Sequence, residues 1–125
     1  HIAFLPLADI RFNRMKSDLK FLECAAHGVV ALASPVVYGD SVQDGKTGVL
    51  YRSPREFGDK LALLLQDGQR RRAIAGQAYQ WVRDNRMLCR HYSKRLEWYQ
   101  QLHANYDSLT AEIYQRVKNS KLTII

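Results

Sequence analysis

Two short apolar runs with one helical segment between them constrain the fold of this chain more than any other feature. The first run is Ile2–Leu7 and the second is Val29–Ala33. Between them, apolar residues recur at helical spacing from Ser17, and Gly28 is the residue type expected just after a helix. Strand, helix and strand joined by such short connections form a parallel βαβ unit. We therefore predict an α/β fold in which the helix crosses between two parallel strands.

The remainder of the chain predicts one more short strand and then helices. Val49–Tyr51 follows turn residues and is expected to be a small third strand. Ser53 has the features of a helix N-cap, with Pro54 directly after it and Glu56 three residues later. A short parallel sheet followed by several carboxy-terminal helices predicts a three-layer, Rossmann-like arrangement.

Apolar residues at helical spacing predict which face each helix buries. A break near residues 105–108 separates one domain, 1–104, from an appended helical extension, 105–125. The predicted buried residues are, in chain order, Leu19, Leu22, Ala25 and Ala26; Phe57, Leu61, Leu64 and Leu65; Ile74, Ala78, Trp81 and Val82 of a helix over Gln69–Asn85; and Tyr92, Leu96, Tyr99 and Leu102 of a helix over Cys89–His103. In the extension, Leu109, Ile113 and Val117 repeat the helical spacing.

Composition limits the class of protein. A hydrophobic content of 46% over 125 residues suits a globular core, while no apolar run reaches the roughly 20 residues of a bilayer crossing. We expect neither a membrane span nor a signal peptide. Cys24 and Cys89 have no metal-ligand spacing, which favours a reducing, cytoplasmic location. The net charge of +7 predicts an anionic partner, and phosphate esters, nucleic acid and acidic lipid all qualify.

The stretch "NRMKSDLKFLECAAHG" places charge where an α/β fold binds ligands, between the carboxyl end of a strand and the start of a helix. Free backbone N–H groups and the helix dipole favour an anion there. Ser17 can add a hydroxyl, and Lys16 and Lys20 can add charge. In the alternative interpretation Ser17 only caps the helix, Asp18 complements the dipole, and the lysines are solvated. Spacing alone leaves both interpretations open.

The order of motifs resembles the second half of the carboxy-terminal domain of a GT-B glycosyltransferase, similar to family 4 and the glycosyl transferases group 1. The resemblance covers about Ile2–Leu102. It rests on "LPLADIRFNRMKSDLKFLECAAHGVVALAS", on the turn "VQDGKTGVLY" and on the helix "PREFGDKLALLLQD". It implies a partial nucleotide-sugar-binding domain over residues 1–104.

The resemblance also implies roles for the charged stretch. The donor's diphosphate would lie against the helix N-terminus, and a glutamate inside the helix would hold the ribose hydroxyls. Glu23 matches that glutamate, although it could instead be an exposed carboxylate contacting His27. The scheme needs no metal and no cofactor, since the nucleotide sugar is a substrate. The residues matched to the diphosphate are Lys16, Ser17, Asp18, Leu19 and Lys20.

This chain departs from the family's pattern in two ways. Many relatives carry a second glutamate, for the transferred sugar, where this chain has Met15, and Asn13 could substitute in part. The amino-terminal domain that completes a GT-B cleft would precede His1, so we expect a fragment that is inactive alone. An incomplete sheet also predicts an exposed apolar strand edge and a possible homodimer.

A basic interaction module for nucleic acid or an anionic membrane surface is the rival interpretation. It rests on clustered basic residues, but no aromatic run interleaves with them and no nucleic-acid-binding motif is present. Specific nucleic-acid binding is therefore not expected. Peripheral contact with the cytoplasmic membrane face is compatible with a glycosyltransferase. The cluster comprises Arg70, Arg71, Arg72, Arg83, Arg86, Arg90, Lys94 and Arg95.

Overall fold

The computed structural model describes residues 1–119, so residues 120–125 of the predicted extension lie outside the described part. The elements are β1 (Ile2–Leu5), α1 (Arg11–Arg14), α2 (Leu19–Ala26), β2 (Val30–Ala33), α3 (Pro35–Tyr38), β3 (Val49–Leu50), α4 (Pro54–Gln66), α5 (Gly68–Asn85), α6 (Leu88–Ala104) and α7 (Tyr106–Asn119). The short helices α1 and α3 were not predicted. Each is a single turn within a connection.

The sheet has three strands in the order β1-β2-β3, and both pairings are parallel. Ile2 pairs with Val30, and Leu32 pairs with Val49. Helix α2 connects the first two strands. The predicted parallel βαβ unit and the α/β class are confirmed.

Strands β1 and β3 end earlier than predicted, whereas β2 ends at Ala33 as predicted. The Leu7 N–H donates to the Ser34 hydroxyl at 2.9 Å instead of continuing the ladder after Pro6. Tyr51 lies outside β3, although its N–H still donates to the Ala33 carbonyl at 2.9 Å. The chain therefore leaves the sheet at a common edge after each strand.

Successive side chains of β2 point to opposite faces of the sheet, and a layer of helices packs on each face. Ala31 and Ala33 point into a cluster with Phe21 and Ala25 of α2, where their small side chains let the helix pack closely. Val30 and Leu32 point to the other face, where Leu64 of α4 packs. The amino-terminal part of α5 packs in this second cluster through Ile74 and Ala75, and its later turns pack in the first through Ala78 and Val82. Helices cover both faces, as a three-layer fold requires.

The predicted inward faces of α2 and α4 need correction. In α2 the buried pair is Phe21 and Ala25, four residues apart, whereas Leu19 and Ala26 are exposed. Leu65 of α4 is also exposed. Ala26 and Leu65 each directly follow a buried residue and are turned about 100° from it, while Leu19 lies two residues before Phe21 and is turned to nearly the opposite side of the helix. The spacing of apolar residues alone does not show these orientations. The other predicted positions of α4 and α5 are buried or half-buried.

The chain divides into two compact units, residues 1–87 and the residues from Leu88 onward. In the second unit α6 and α7 are separated by Asn105, which lies in the predicted break. The predicted buried face of α6 is wrong for Tyr92, Leu96 and Tyr99, each more than half exposed. Leu102 is half-buried. The domain limits 1–104 and 105–125 stay a prediction.

Among residues 1–119, strand β1 pairs with β2 and with no other strand. Its Phe4 side chain is 53% exposed, while Leu5 next to it is buried. The first unit therefore presents the apolar strand edge that the sequence predicts.

Candidate functional site

The three strands end at one open cleft of about 970 Å³. Its walls are residues 6–9 and Arg14 after β1, 34–36 after β2, and 51–54 after β3. Phe57 of α4 forms the apolar side, its ring centroid 5.5 Å from that of Phe4 and 5.0 Å from that of Tyr51. The cleft thus lies at the carboxyl edge of a parallel sheet, where α/β folds bind ligands.

Hydrogen bonds within residues 8–14 shape the loop between β1 and α2. The Asn13 amide donates to the Ala8 carbonyl at 2.9 Å, and Asn13 is buried at 8% exposure. The Arg14 guanidinium donates to both Asp9 carboxylate oxygens, at 2.5 and 2.9 Å. The hydrogen bond to Arg14 holds the pKa of Asp9 below its usual value, and the same pair raises the pKa of Arg14. This part of the cleft wall therefore carries a pair of opposite charges.

The amino end of α2 has unused hydrogen-bond donors. Within residues 1–119 no acceptor is bonded to the backbone N–H groups of Ser17, Asp18, Leu19 or Lys20. The first bonded N–H groups belong to Phe21 and Leu22, and both donate to the Asp18 carbonyl. Four consecutive free donors at the positive end of a helix dipole can bind an anion.

Asp18 at this helix end has its carboxylate turned away from the free N–H groups. It accepts a hydrogen bond from Arg86 at 2.7 Å and another from the Ser41 hydroxyl. The side chain makes no capping bond to α2. Arg86 thus supplies the charge that compensates Asp18, which would otherwise repel an anion at the helix start.

The two lysines flank the free N–H groups and are exposed. The Lys16 ammonium lies 5.1 Å from the centroid of the Phe12 ring, a cation–π contact that positions it over the loop. Neither Lys16 nor Lys20 forms an ion pair within the described residues. Both ammonium groups are therefore available to an anion.

Glu23 lies one turn into α2 and is exposed. The contact with His27 does not use its carboxylate, because His27 Nδ1 donates to the Glu23 backbone carbonyl at 2.8 Å. Burial raises the pKa of the neighbouring Cys24 thiol, and the Glu23 charge raises it further. In the described part of the chain the Glu23 carboxylate has no hydrogen-bond or ion-pair partner.

The structure brings the predicted residues Lys16–Lys20 together at one helix end, with Glu23 one turn further along. None of them lines the cleft, and neither does Asn13. Asp9 and Arg14, which do line it, were missed by the sequence analysis, although an acidic residue following a strand end is a signal that could have found Asp9. Arg86 had no local signal, since it meets Asp18 across 68 residues.

Residues 1–119 contain neither a membrane-spanning helix nor a cluster of metal ligands. No helix there is both long enough and apolar enough to cross a bilayer. No three His, Cys, Asp or Glu side chains of this part are grouped so that they could hold a metal ion.

Comparison with known proteins points to one family. The family model described as glycosyl transferase-like matches residues 2–101. No curated protein matches the chain. Among solved structures, the carboxy-terminal domain of a glycosyl transferase group 1 family protein from Francisella tularensis is similar, with 25% sequence identity and a TM-score of 0.48. That similarity covers 51% of this chain and 34% of the other, so this chain spans well under two thirds of its length.

Proposed function

The chain belongs to the glycosyl transferase-like family, and from this premise we propose that it binds the nucleoside diphosphate of an activated sugar donor. It would do so as one part of a glycosyltransferase whose acceptor site is supplied by an amino-terminal domain. The donor sugar would then be transferred in the cleft between the two parts.

The run of free backbone N–H groups from Ser17 to Lys20 carries this proposal. These groups lie at the start of an eight-residue helix, where the dipole adds to their attraction for an anion. A diphosphate has several acceptor oxygens, so it can use more than one N–H at once. Lys16 and Lys20 would add charge-assisted contacts on either side.

These groups would also assist the chemistry. As the bond between sugar and diphosphate breaks, negative charge builds up on the leaving diphosphate. Fixed N–H groups and ammonium groups stabilise that charge more in the transition state than in the bound donor. Because Arg86 and Ser41 engage the Asp18 carboxylate, the helix start keeps a positive potential during this step.

Glu23 is proposed to hold the ribose. It follows Lys20 by three residues, so the two side chains lie on the same face of α2. A carboxylate without a protein partner can accept hydrogen bonds from both ribose hydroxyls. The ribose and the diphosphate of one nucleotide would thus be bound along a single helix.

The proposed contact with the transferred sugar would differ from that of many relatives. Met15, which stands where they carry a carboxylate, is exposed and cannot accept a strong hydrogen bond. Asn13 is our candidate for part of this role, but its amide nitrogen is committed to Ala8. Its Oδ1 is the atom left for a sugar hydroxyl.

The test is a titration of the isotope-labelled chain with UDP, GDP and inorganic pyrophosphate, followed by NMR of the backbone amides. We expect all three ligands to shift the amide signals of Ser17 to Lys20, and only the two nucleotides to shift signals around Glu23. Shifts confined to the cleft residues, with Ser17 to Lys20 unmoved, would overturn the proposal.

A further inference from the structure

Gly76 in the middle of α5 has no structural reason to be glycine. It is exposed, and a Cβ added there would have no other atom within 4 Å. Its φ is not positive, so the backbone does not require it either. Glycine is less favourable than alanine in the interior of a helix. A glycine, which has no Cβ, lets another backbone approach a helix closely.

Two hollows meet at Gly76. Arg72, Gly76 and Gln80 follow one another at intervals of four, so they form one row along α5. This row borders a hollow of about 660 Å³ toward the loop before β3, and a second of about 470 Å³ on the opposite side. Because Gly76 has no side chain, the two hollows are continuous across the helix at this position. We call this surface the α5 groove, formed by Gln43, Lys46, Arg72, Gly76, Gln77 and Gln80.

The α5 groove is cationic and rich in amides. No carboxylate lines either hollow. The side-chain charges of Lys46 and Arg72 have no hydrogen-bond or ion-pair partner within residues 1–119. Arg71, by contrast, is occupied, because its guanidinium donates to the Leu64 and Leu65 carbonyls at the end of α4. These two exposed cations are therefore available to an anionic occupant.

We propose that the α5 groove binds an extended acidic segment of a partner protein. The glutamine amides can both donate to and accept from a peptide backbone, whereas a bare phosphate offers only acceptors. Gly76 lets the segment's backbone cross the helix, and Lys46 and Arg72 pair with its carboxylates.

Two other occupants fit the groove less well. A concave surface that crosses a helix does not match a flat lipid headgroup layer. Single-stranded nucleic acid would need several aromatic platforms for its bases. Two aromatic side chains line the hollows, and one of them, Trp81, already contacts Phe21 and Arg86, at 5.8 Å in each case, which leaves the exposed Tyr79.

The test uses two labelled ten-residue peptides, one alternating glutamate with serine and one alternating glutamine with serine. In an extended chain alternate side chains point the same way, so the first peptide presents carboxylates on one side. Fluorescence anisotropy should show salt-dependent binding of the glutamate peptide and none of the glutamine peptide. No binding of the glutamate peptide by the parent chain would overturn the proposal.

Two pairs of variants locate the binding. Arg72→Gln should weaken binding of the glutamate peptide by about fivefold or more, through loss of a charge pair. Arg70→Gln, the same charge change on the same helix outside the groove, should leave affinity within about twofold. Gly76→Leu should block binding, while Gly76→Ala, which adds only a methyl group in open space, should retain at least part of it. Circular dichroism of each variant checks that α5 is intact.

Equal losses in the two arginine variants would mean diffuse attraction and would refute the groove. So would full binding by Gly76→Leu. Phosphatidylserine vesicles and a thymidine oligonucleotide are tested in parallel. If either binds in a way that Arg72→Gln weakens, while the glutamate peptide does not bind, the occupant is lipid or nucleic acid and the proposal is wrong.

Discussion

Arg86, at the end of α5, donates a 2.7 Å hydrogen bond to the Asp18 carboxylate at the start of α2. The side chain of Asp18 is only 12% exposed, and Ser41 also donates to it. The Arg86 guanidinium lies 5.8 Å from the centre of the Trp81 ring as well. One long-range pair therefore holds two helices together and compensates the negative charge nearest the proposed diphosphate site.

Removing Arg86 should destabilise the fold. Arg86→Ala leaves a largely buried carboxylate with one donor fewer, and we expect a loss of about 1–3 kcal/mol in the free energy of unfolding, measured by urea titration. Arg83→Ala is the control, since Arg83 pairs with the adjacent Asp84 and both side chains are about half exposed. It should cost no more than about 1 kcal/mol. Equal losses would show that the Asp18 contact adds nothing.

The proposed donor site predicts different effects for its cation and its carboxylate. Lys16→Ala should weaken UDP and GDP binding by about 1–2 kcal/mol, through loss of a charge-assisted contact. Glu23→Gln should weaken binding of both nucleotides but leave the affinity for inorganic pyrophosphate nearly unchanged, because pyrophosphate has no ribose. NMR titration measures all three affinities.

Lys46→Ala is the control for a general loss of positive charge, and it should leave the nucleotide affinities unchanged. Lys46 precedes β3 and so lies at the opposite end of the sheet from the strand ends. Unchanged nucleotide affinity in the Lys16 and Glu23 variants would mean that these side chains lie on a solvated helix face and do not bind the donor.

Cys24 should report on the position of the Glu23 charge. Burial and then Glu23 raise the pKa of Cys24, so its labelling by a thiol reagent should need a higher pH than that of a free cysteine. Glu23→Gln removes the second cause, and the midpoint of labelling against pH should then fall. A Cys89→Ser background isolates the signal. A midpoint that does not move would place the Glu23 carboxylate away from the thiol.

The same pKa shift gives stability a defined pH dependence. In the unfolded chain the thiol ionises at a lower pH than in the folded one. The contribution of Cys24 to the free energy of unfolding is therefore complete below the ordinary thiol pKa. It is lost as the pH rises through the raised pKa of the folded chain. Buried Tyr38, whose pKa is raised mainly by burial, acts in the same direction at higher pH. The free energy of unfolding should fall on the alkaline side, and Cys24→Ser should remove the earlier part of that fall.

Two glycines should respond oppositely to alanine. Gly76→Ala should raise the free energy of unfolding by about 0.5–1 kcal/mol, because the helix propensity improves and the added Cβ meets nothing. Gly39→Ala should lower it, because the added Cβ would lie 2.7 Å from the Pro35 carbonyl oxygen. Urea titration of both variants tests this. A destabilised Gly76→Ala would mean that α5 packs differently there.

The free edge of β1 predicts self-association. Phe4 is half exposed on a strand that pairs with β2 and with no other strand of residues 1–119, so sedimentation velocity should show dimers that increase with concentration. Phe4→Lys should reduce them, since a lysine on an edge strand opposes pairing. Leu65→Lys, at an apolar site of α4 that is also more than half exposed, should not. A parent chain that stays monomeric at high concentration would contradict the prediction.

The sequence by itself determined the local elements and their class. Apolar runs such as Val30–Ala33 and the cap at Ser53 act over a few residues, and the Ser53 hydroxyl does accept from the Glu56 N–H at 3.1 Å. Tight connections between short runs leave a parallel sheet as the one workable arrangement. The same local logic placed Lys16, Ser17 and Lys20 at a helix start that follows a strand end.

Only the tertiary structure decided which side chains face the core and which charges meet. Phe21 rather than Leu19 is buried in α2, because the direction of the sheet, and not the spacing of apolar residues, selects the contact row. Asp18 and Arg86 are 68 residues apart. Local periodicity carries no information about such a pair, because its distance depends on how α2 and α5 pack on the same face of the sheet.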